Sequence, residues 1–416
     1  MKKYERHAQS QRKHGPLPVS SASKAPAPPP VSRPGWTGPG YVKKAARQPR
    51  APSAPTALAS TVQDHVLSIE LQQRTLDIIR DTFPASHDFE TLKPLLHQVN
   101  DALLQKDFET AFGKQEFMEG YAIRWSPSRA LGYSNLLAQI CEQRKDDAWV
   151  RQLIGDDRST PAKALCFGGG AAEIMAFAAL LRHFREGAAG KPAAASSIEL
   201  DDMSNTPLDP TACTPPVNIH LVDAADWSLV ASKLQAGLKT PPTLSKYASA
   251  VARASNASFL STEAVEINFT RTHVFTLSLE DLRPMIGPDQ AFITLLFTLN
   301  DLYTTSIPKT TAFLRRLTSV TPAGSMLLVV DSPEATSTAG IAKDGEEKKE
   351  YPMSWLLNKT LLPTREKGQG DEKESEPAWE KLMDDANRVY KKPEKGLWYP
   401  VSLENLRLQV QLFKRL

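Results

Sequence analysis

Short apolar runs alternate with helix-like stretches from Pro161 to the C-terminus. Between the runs, apolar residues recur at helical spacing, as Ile174, Phe177 and Leu181 do. A chain that alternates strands and helices in this way is typical of an α/β fold with a doubly wound parallel sheet. The runs that predict its strands are "ALCF", "VNIHLVD", "EINFTRTHVFTL", "AFITLLFTLNDLY" and "GSMLLVVDSP".

The last predicted strand has a different pattern. From Leu406 to Leu412 the sequence "LRLQVQL" alternates apolar and polar residues strictly. A period of two indicates a strand with one polar face, whereas the earlier runs are apolar throughout, as strands covered on both faces should be.

The region before the sheet, residues 61–150, has a helical pattern. One face carries apolar residues until Pro84 ends the run, and Asp88 is placed to cap a second helix. The apolar residues of the first face are Val62, Val66, Ile69, Leu76, Ile79 and Phe83. We therefore predict an N-terminal helical region, followed by the sheet domain at 151–416.

Composition adds a tail and two insertions to this picture. Residues 1–60 hold eleven of the 32 prolines, and eleven Lys or Arg against one acid, Glu5. Such a segment predicts a disordered basic tail of the kind that meets nucleic acid. Residues 187–216 and 334–378 interrupt the strand and helix pattern, and we expect insertions or mobile loops there.

Three cysteines, Cys141, Cys166 and Cys213, have no paired spacing, so neither a disulfide framework nor a metal site is expected. No run of eighteen apolar residues is present, and the N-terminus has no apolar core of a signal peptide. We expect a soluble intracellular protein without membrane contact, in the nucleus, the nucleolus or the cytoplasm.

Three consecutive glycines, Gly168, Gly169 and Gly170, follow the first strand and precede a helix. A glycine turn there allows a ligand to approach the backbone and the helix N-terminus. Asp223, at the end of the next strand, is placed to bind a ribose; it lies 55 residues after Gly168, or 25 without the 30-residue insertion. The lysine and hydroxyl of a P-loop are absent, and alanine replaces the last glycine of a dinucleotide motif. The turn therefore favours S-adenosylmethionine, although glycines required only for packing remain an alternative.

Several motifs together resemble a known family. The sequences are "YAIRWSPSRALGY", "CFGGGAAEI", "HLVDAADWSLV", "LLFTLNDLYTTSIPKTTAFL", "YPMSWLLNKTLL" and "YPVSLENLRLQVQLFKR". They are similar to the fungal 25S ribosomal RNA (uridine-N(3))-methyltransferases, a branch of the class I S-adenosylmethionine-dependent enzymes with a Rossmann-like sheet. The resemblance runs from about Tyr121 to the C-terminus. It implies a seven-stranded sheet with an antiparallel last strand, S-adenosylmethionine as cofactor, and 3-methyluridine in large-subunit ribosomal RNA as product.

The resemblance also implies where the cofactor binds. Besides the three glycines, it assigns this role to Asp223, Ala224, His273, Val274 and Asn300. His273 is a departure, since the family tends to have an acid near the end of the third strand. A second departure lies in "DDANRVYKKPEKG", which replaces a late aromatic and basic segment.

Methylation of uracil N3 needs a base, because that nitrogen keeps its proton at neutral pH. Ligands bind beyond the carboxyl ends of the strands in an open parallel sheet. We expect Asn300 and Asp301 to end the fourth strand and Asp331 to end the fifth. Asp301 is our candidate general base, Asn300 a hydrogen-bonding positioner and Asp331 a second acid. As an alternative, Asp301 only caps the following turn.

Candidates for substrate binding come mainly from "YAIRWSPSRALGY". Trp125 between Arg124 and Arg129, with Ser128 nearby, suits stacking of an extruded base and contact with its phosphates. We add Tyr303, which follows the candidate base. The alternative for the motif is a helix that begins at Ser126 and Pro127, with Trp125 in the core.

Two other functions remain open from the residues alone. A catalytically silent assembly factor with the same fold would bind RNA without methylating it, and the His273 departure favours this alternative. A protein methyltransferase is the other. For the methyltransferase we expect a monomer whose partner is ribosomal RNA or a pre-ribosomal large subunit.

Overall fold

A mixed β-sheet forms the centre of the protein. The computed structural model describes residues 61–62, 65–186, 215–254, 256–339, 349–362 and 378–416. The predicted tail and most of the insertion at 187–216 lie outside these residues. The strands are β1 (Thr61–Val62), β2 (Lys163–Phe167), β3 (Val217–Asp223), β4 (Val265–Arg271), β5 (Phe292–Leu296), β6 (Met326–Asp331), β7 (Thr336–Ala339), β8 (Lys349–Pro352), β9 (Trp379–Tyr390) and β10 (Leu406–Arg415).

Eight of these strands make one sheet in the order β1-β9-β10-β6-β5-β2-β3-β4. Strands β2 to β6 are parallel, and β10 lies antiparallel between β6 and β9. Without the two-residue β1, the sheet has the seven strands and the antiparallel last strand that we expected. The order reverses between β2 and β5, which is the switch point where α/β sheets bind ligands.

We predicted that β10 has one polar face, unlike the buried strands. This prediction is wrong about burial, because both faces of the strand are covered. Gln409 and Gln411 are buried. The Gln411 amide donates to Asp384 Oδ1 at 3.3 Å and to Asn358 Oδ1 at 3.4 Å. The buried amide N–H groups thus have hydrogen-bond acceptors.

The helices of the described residues cover both faces of the sheet. Ser68 and Asp88 cap the first two helices through their side chains, so the first begins at Ile69 and Val62 belongs to β1. The helices are α1 (Ile69–Thr82), α2 (Phe89–Leu104), α3 (Phe108–Phe112), α4 (Gln115–Arg124), α5 (Ser126–Gln143), α6 (Ala148–Ile154), α7 (Ala171–Leu181), α8 (Ser228–Lys239), α9 (Ala250–Ala254), α10 (Leu279–Ile286), α11 (Leu299–Thr305), α12 (Ile307–Val320) and α13 (Met353–Leu361). None of them combines the length and apolar character needed to span a bilayer.

The N-terminal helices are not a separate domain. Helix α5 packs against α7, and α1 packs against α8, so this region shares a core with the sheet. The compact unit runs over Ala57–Leu416, and our boundary at 151 falls inside α6. Helices α10 to α13 cover the other face of the sheet around a second apolar core.

The segment 334–378, which we predicted to be an insertion or a mobile loop, contains regular elements in the part that the structure describes. Strands β7 and β8 form an antiparallel pair, and α13 follows them directly. Met353, Leu357 and Leu361 are buried from one face of α13, which anchors the segment on the second core.

Candidate active site

A cavity of about 730 Å³ lies at the carboxyl ends of β2, β3, β5 and β6. Its floor is the glycine turn after β2, and one end is formed by residues after β3 and β4. The other end is formed by the turn between β5 and α11, and the far wall by helices α2 to α5. A cavity of this size at a switch point is typical of a small-molecule site.

The glycine turn is held in place by its own backbone. The Gly168 N–H donates to Val222 O at 2.8 Å, and its φ of +69° is favourable for glycine alone. A Cβ on Gly168 would overlap the side chain of Thr298. The Gly170 N–H donates to Glu173 Oε2 at 2.7 Å, which caps α7. Gly168 and Gly170 line the cavity, whereas Gly169 does not; its Cβ would meet Cys166 Cβ at 2.6 Å.

The residues predicted to hold a nucleoside meet at one end of the cavity. Asp223, Ala224, His273 and Val274 all line it. Asp223 Oδ1 accepts the N–H of Ala225 at 2.7 Å, and burial raises the pKa of this carboxyl to about 6. His273 Nδ1 accepts the N–H of Phe275 at 3.1 Å, and burial lowers the pKa of its imidazole. His273 is therefore a neutral group at neutral pH, unlike an acid at this position.

The turn between β5 and α11 forms the opposite end, and it corrects one expectation. Strand β5 ends at Leu296, so Asn300 and Asp301 lie in the first turn of α11 and do not end the strand. The chain turns early because Phe297 has a φ of +55°, which is rare for a bulky residue, while its N–H donates to Val330 O at 2.7 Å. Both Asn300 and Asp301 still line the cavity.

Asp331 ends β6 as predicted and lines the same end. It accepts the N–H groups of Asn300 and Ser332, each at 3.0 Å, so it fixes the start of α11. Burial raises the pKa of Asp331 to about 6. Burial also raises the pKa of Asp301, while the positive charges of Lys106 and Arg129 act against that rise.

The helical wall brings aromatic rings and one guanidinium to the cavity. Trp125 and Arg129 line it, as do Tyr121 and Phe112. The Arg129 guanidinium lies 4.7 Å from the ring centre of Phe297 and 5.5 Å from that of Tyr121, and it donates to Tyr121 Oη. Trp125 is 5.2 Å from Tyr121 between ring centres, so it contacts both the core and the cavity.

Three predicted substrate residues lie away from the lining of the cavity. Arg124 forms an ion pair with Glu404, and Ser128 Oγ accepts the Glu404 N–H at 2.9 Å. Tyr303 is 1% exposed and packs in the second core. Arg124 and Ser128 connect α4 and α5 to the C-terminal segment, and Tyr303 fills the core.

Sequence reasoning missed several lining residues, of which Tyr121 and Phe297 are the clearest. Tyr121 carries a usable signal, since it precedes Trp125 by one helical turn and so shares its face. Phe297 carries none, because a positive φ at a bulky residue cannot be read from sequence.

The lining suits S-adenosylmethionine, a cofactor with a sulfonium, an ammonium and a single carboxylate. Five carboxyl side chains line the cavity. Burial raises the pKa of four of them, Glu173, Asp223, Asp301 and Asp331. Buried acids without a cation are unfavourable, and a cationic ligand compensates them. Asp223 ends β3 and lines the cavity, and Gly168 leaves room that a side chain would fill.

The sheet order and this cavity define a class I methyltransferase. The chain belongs to the family described as putative SAM-dependent methyltransferases, whose profile matches residues 79–414. The family resemblance seen in the sequence is thereby confirmed, as are the enzyme class and the cofactor.

Known proteins similar to the chain include a yeast enzyme. The 25S rRNA (uridine(2843)-N(3))-methyltransferase of Saccharomyces cerevisiae (strain ATCC 204508 / S288c) is 30% identical over 351 residues, which cover 82% of this chain and 85% of the yeast protein.

Two solved structures are more distant. A SAM-dependent methyltransferase from Methanosarcina mazei is 12% identical with a TM-score of 0.27, over 61% of this chain and 92% of that one. One from Clostridium acetobutylicum ATCC 824 is 10% identical with a TM-score of 0.28, over 68% and 98%.

Proposed function

We propose that this chain transfers the methyl group of S-adenosylmethionine to N3 of a uridine in large-subunit ribosomal RNA. The yeast relative is named for this reaction and aligns over most of both chains. One observation carries the proposal. The glycine turn and the buried carboxyl groups of Asp301 and Asp331 line the same cavity.

Asp301 acts as the general base in this proposal. Its pKa is raised by burial, which brings the carboxylate closer to the basicity needed to accept the uracil N3 proton. The N3 lone pair then forms the bond to the methyl carbon while the carbon–sulfur bond breaks, which leaves neutral S-adenosylhomocysteine. Asp331 positions Asp301, because it holds the first turn of α11 through the Asn300 N–H.

The target uridine must be unpaired or flipped, because N3 lies on the edge used for base pairing. Trp125 and Phe297 offer aromatic faces in the wall near Asp301. Stacking against such faces is the usual way that proteins hold an extruded base. Ribosomal RNA, free or in a pre-ribosomal large subunit, is therefore the proposed partner, and a monomer suffices for this chemistry.

Nucleoside mass spectrometry tests the proposal. Large subunits that lack the modification are incubated with the protein and isotope-labelled S-adenosylmethionine, and their RNA is digested. We expect labelled 3-methyluridine from the wild type. At saturating S-adenosylmethionine, Asp301→Asn should lower the rate at least about 100-fold, as expected for loss of a general base.

Other results would overturn the proposal. No labelled nucleoside despite cofactor binding would favour a silent assembly factor, and label in ribosomal proteins alone would favour a protein methyltransferase. An Asp301→Asn variant as fast as wild type would remove Asp301 from the base role and leave the uridine product standing.

A further inference from the structure

We infer that Arg129 and Ser126, in the first turn of α5, bind the carboxylate of S-adenosylmethionine. This assignment differs from the role in RNA binding that the sequence motif indicated for Arg129. It deepens the proposed function but rests only on the cofactor, so it does not depend on uridine as the substrate.

Neighbouring aromatic rings set the orientation of the Arg129 guanidinium, and its charge interacts with Glu173, Asp301 and Asp331. The rings of Phe297 and Tyr121 lie beside the guanidinium, and Tyr121 Oη accepts one of its N–H groups. Across the described ranges Arg129 forms no ion pair, although Glu173 is close enough to interact with its charge. A guanidinium presents five N–H groups in a planar fork, which suits two-point binding of a carboxylate.

Ser126 supplies an independent observation. Its side chain is 1% exposed and lines the same cavity, yet its hydroxyl has no hydrogen-bond partner within the described part of the chain. Buried hydroxyls are almost always paired, so this one indicates a ligand acceptor. Ser126 and Arg129 are three residues apart and share a helix face, at the end of α5 where the helix dipole is positive.

Position favours the cofactor over an RNA phosphate. The charge of Arg129 interacts with Glu173, whose carboxylate accepts the Gly170 N–H, so the guanidinium lies near the glycine turn. The cofactor has one anionic group, and the Arg129 guanidinium offsets the repulsion of that group by the buried acids around it, Glu173, Asp301 and Asp331. The first turn of α5 is therefore where that carboxylate is attracted, while the acids face the sulfonium and the ammonium.

Calorimetry with two ligands tests the assignment. S-adenosylhomocysteine carries the carboxylate, and its decarboxylated analogue differs only in lacking it. We expect Arg129→Gln to weaken S-adenosylhomocysteine about 10- to 100-fold, the usual cost of a lost charge-assisted hydrogen bond, and to change the analogue by less than about twofold. Ser126→Ala should show the same selectivity with a smaller loss.

Arg124→Gln is the matched control, since Arg124 is a nearby arginine at the end of α4 and lies outside the lining of the cavity. It should bind both ligands as the wild type does. Arg129→Lys keeps the charge and should give an intermediate loss, which provides a second variant if Arg129→Gln does not fold.

Two results would overturn the inference. Equal losses for both ligands in folded Arg129→Gln and Arg129→Lys would mean that Arg129 does not recognise the carboxylate. Unchanged S-adenosylhomocysteine affinity with weaker binding of large-subunit RNA would assign Arg129 to the RNA. Because these are binding measurements, they stand whether or not 3-methyluridine is the product.

Discussion

At the scale of single residues, the acids of the cavity are tuned by burial. Asp223 and Asp331 have pKa values raised to about 6, so both are ionised at neutral pH and protonated at mildly acidic pH. Neither has a cationic side chain as its main partner; backbone N–H groups do most to offset the effect of burial. A positively charged ligand therefore gains most where both are ionised.

We expect the preference for S-adenosylmethionine over S-adenosylhomocysteine to increase with pH. Raising the pH through about 6 ionises Asp223 and Asp331, and the added negative charge attracts the sulfonium that only the first ligand has. Between pH 5 and pH 7.5 the ratio of the two affinities should rise about three- to tenfold. Calorimetry of both ligands at each pH measures it, and a constant ratio would contradict the prediction.

At the scale of elements, two strand-to-helix turns meet across the switch point of the sheet. Gly168 follows β2 and Thr298 follows β5, and they are so close that a Cβ on the glycine would overlap the threonine. Thr298 Oγ1 also donates to Leu296 O at 3.2 Å, which ties it to its own turn. The floor of the cavity thus depends on both turns together.

Gly168→Ala should lower S-adenosylmethionine affinity at least about tenfold, because the turn must move away from Thr298 and because a φ above zero costs alanine roughly 1–2 kcal/mol. Gly287→Ala is a control for backbone strain outside the cavity, because Gly287 has a φ of +78° and a ψ of −175°, a conformation at least as unfavourable for alanine. Its Cβ would meet only Lys163 Nζ, at 3.5 Å. Thermal unfolding should show both variants destabilised, while calorimetry shows cofactor binding lost only in Gly168→Ala. Equal cofactor affinity in the two would contradict this reasoning.

Strand β9 could not be predicted from local sequence patterns. Its twelve residues, "WEKLMDDANRVY", carry five charges, and most of its side chains are partly or fully exposed. Because β10 covers one edge and only the two-residue β1 covers the other, the strand has little apolar periodicity to detect. Only its pairing partners make it a strand.

At the scale of the whole molecule, charge is divided unevenly. Residues 1–56 carry eleven Lys or Arg and one acid, although the complete chain has a net charge of only +3. The compact unit that follows is therefore acidic overall. We expect this division to separate the electrostatic attraction of RNA from the chemistry of the cavity.

A variant that begins at Ala57 should bind S-adenosylmethionine within about twofold of the full chain, because the cavity lies within Ala57–Leu416. Its affinity for large-subunit RNA should fall, and the logarithm of that affinity should depend less steeply on salt, since fewer cations are released. Filter binding at several salt concentrations measures the slope. An unchanged slope would show that the N-terminal charges do not contact RNA.

The sequence by itself determined the five parallel strands, the glycine turn after the first of them, the position of Asp223 at the end of the second, and the final strand. These features depend on periodicity and turn chemistry within a few residues, which each segment carries on its own. Only the tertiary structure decided that the N-terminal helices form a wall of the cavity, that Arg124, Ser128 and Tyr303 lie outside its lining, and that Arg129 stands beside the glycine turn. Those placements depend on packing between segments far apart in the chain, as in the contacts of α5 with α7 and with the residues after β9. The packing of these segments, and not the local sequence pattern, decides which charged side chains line the cavity.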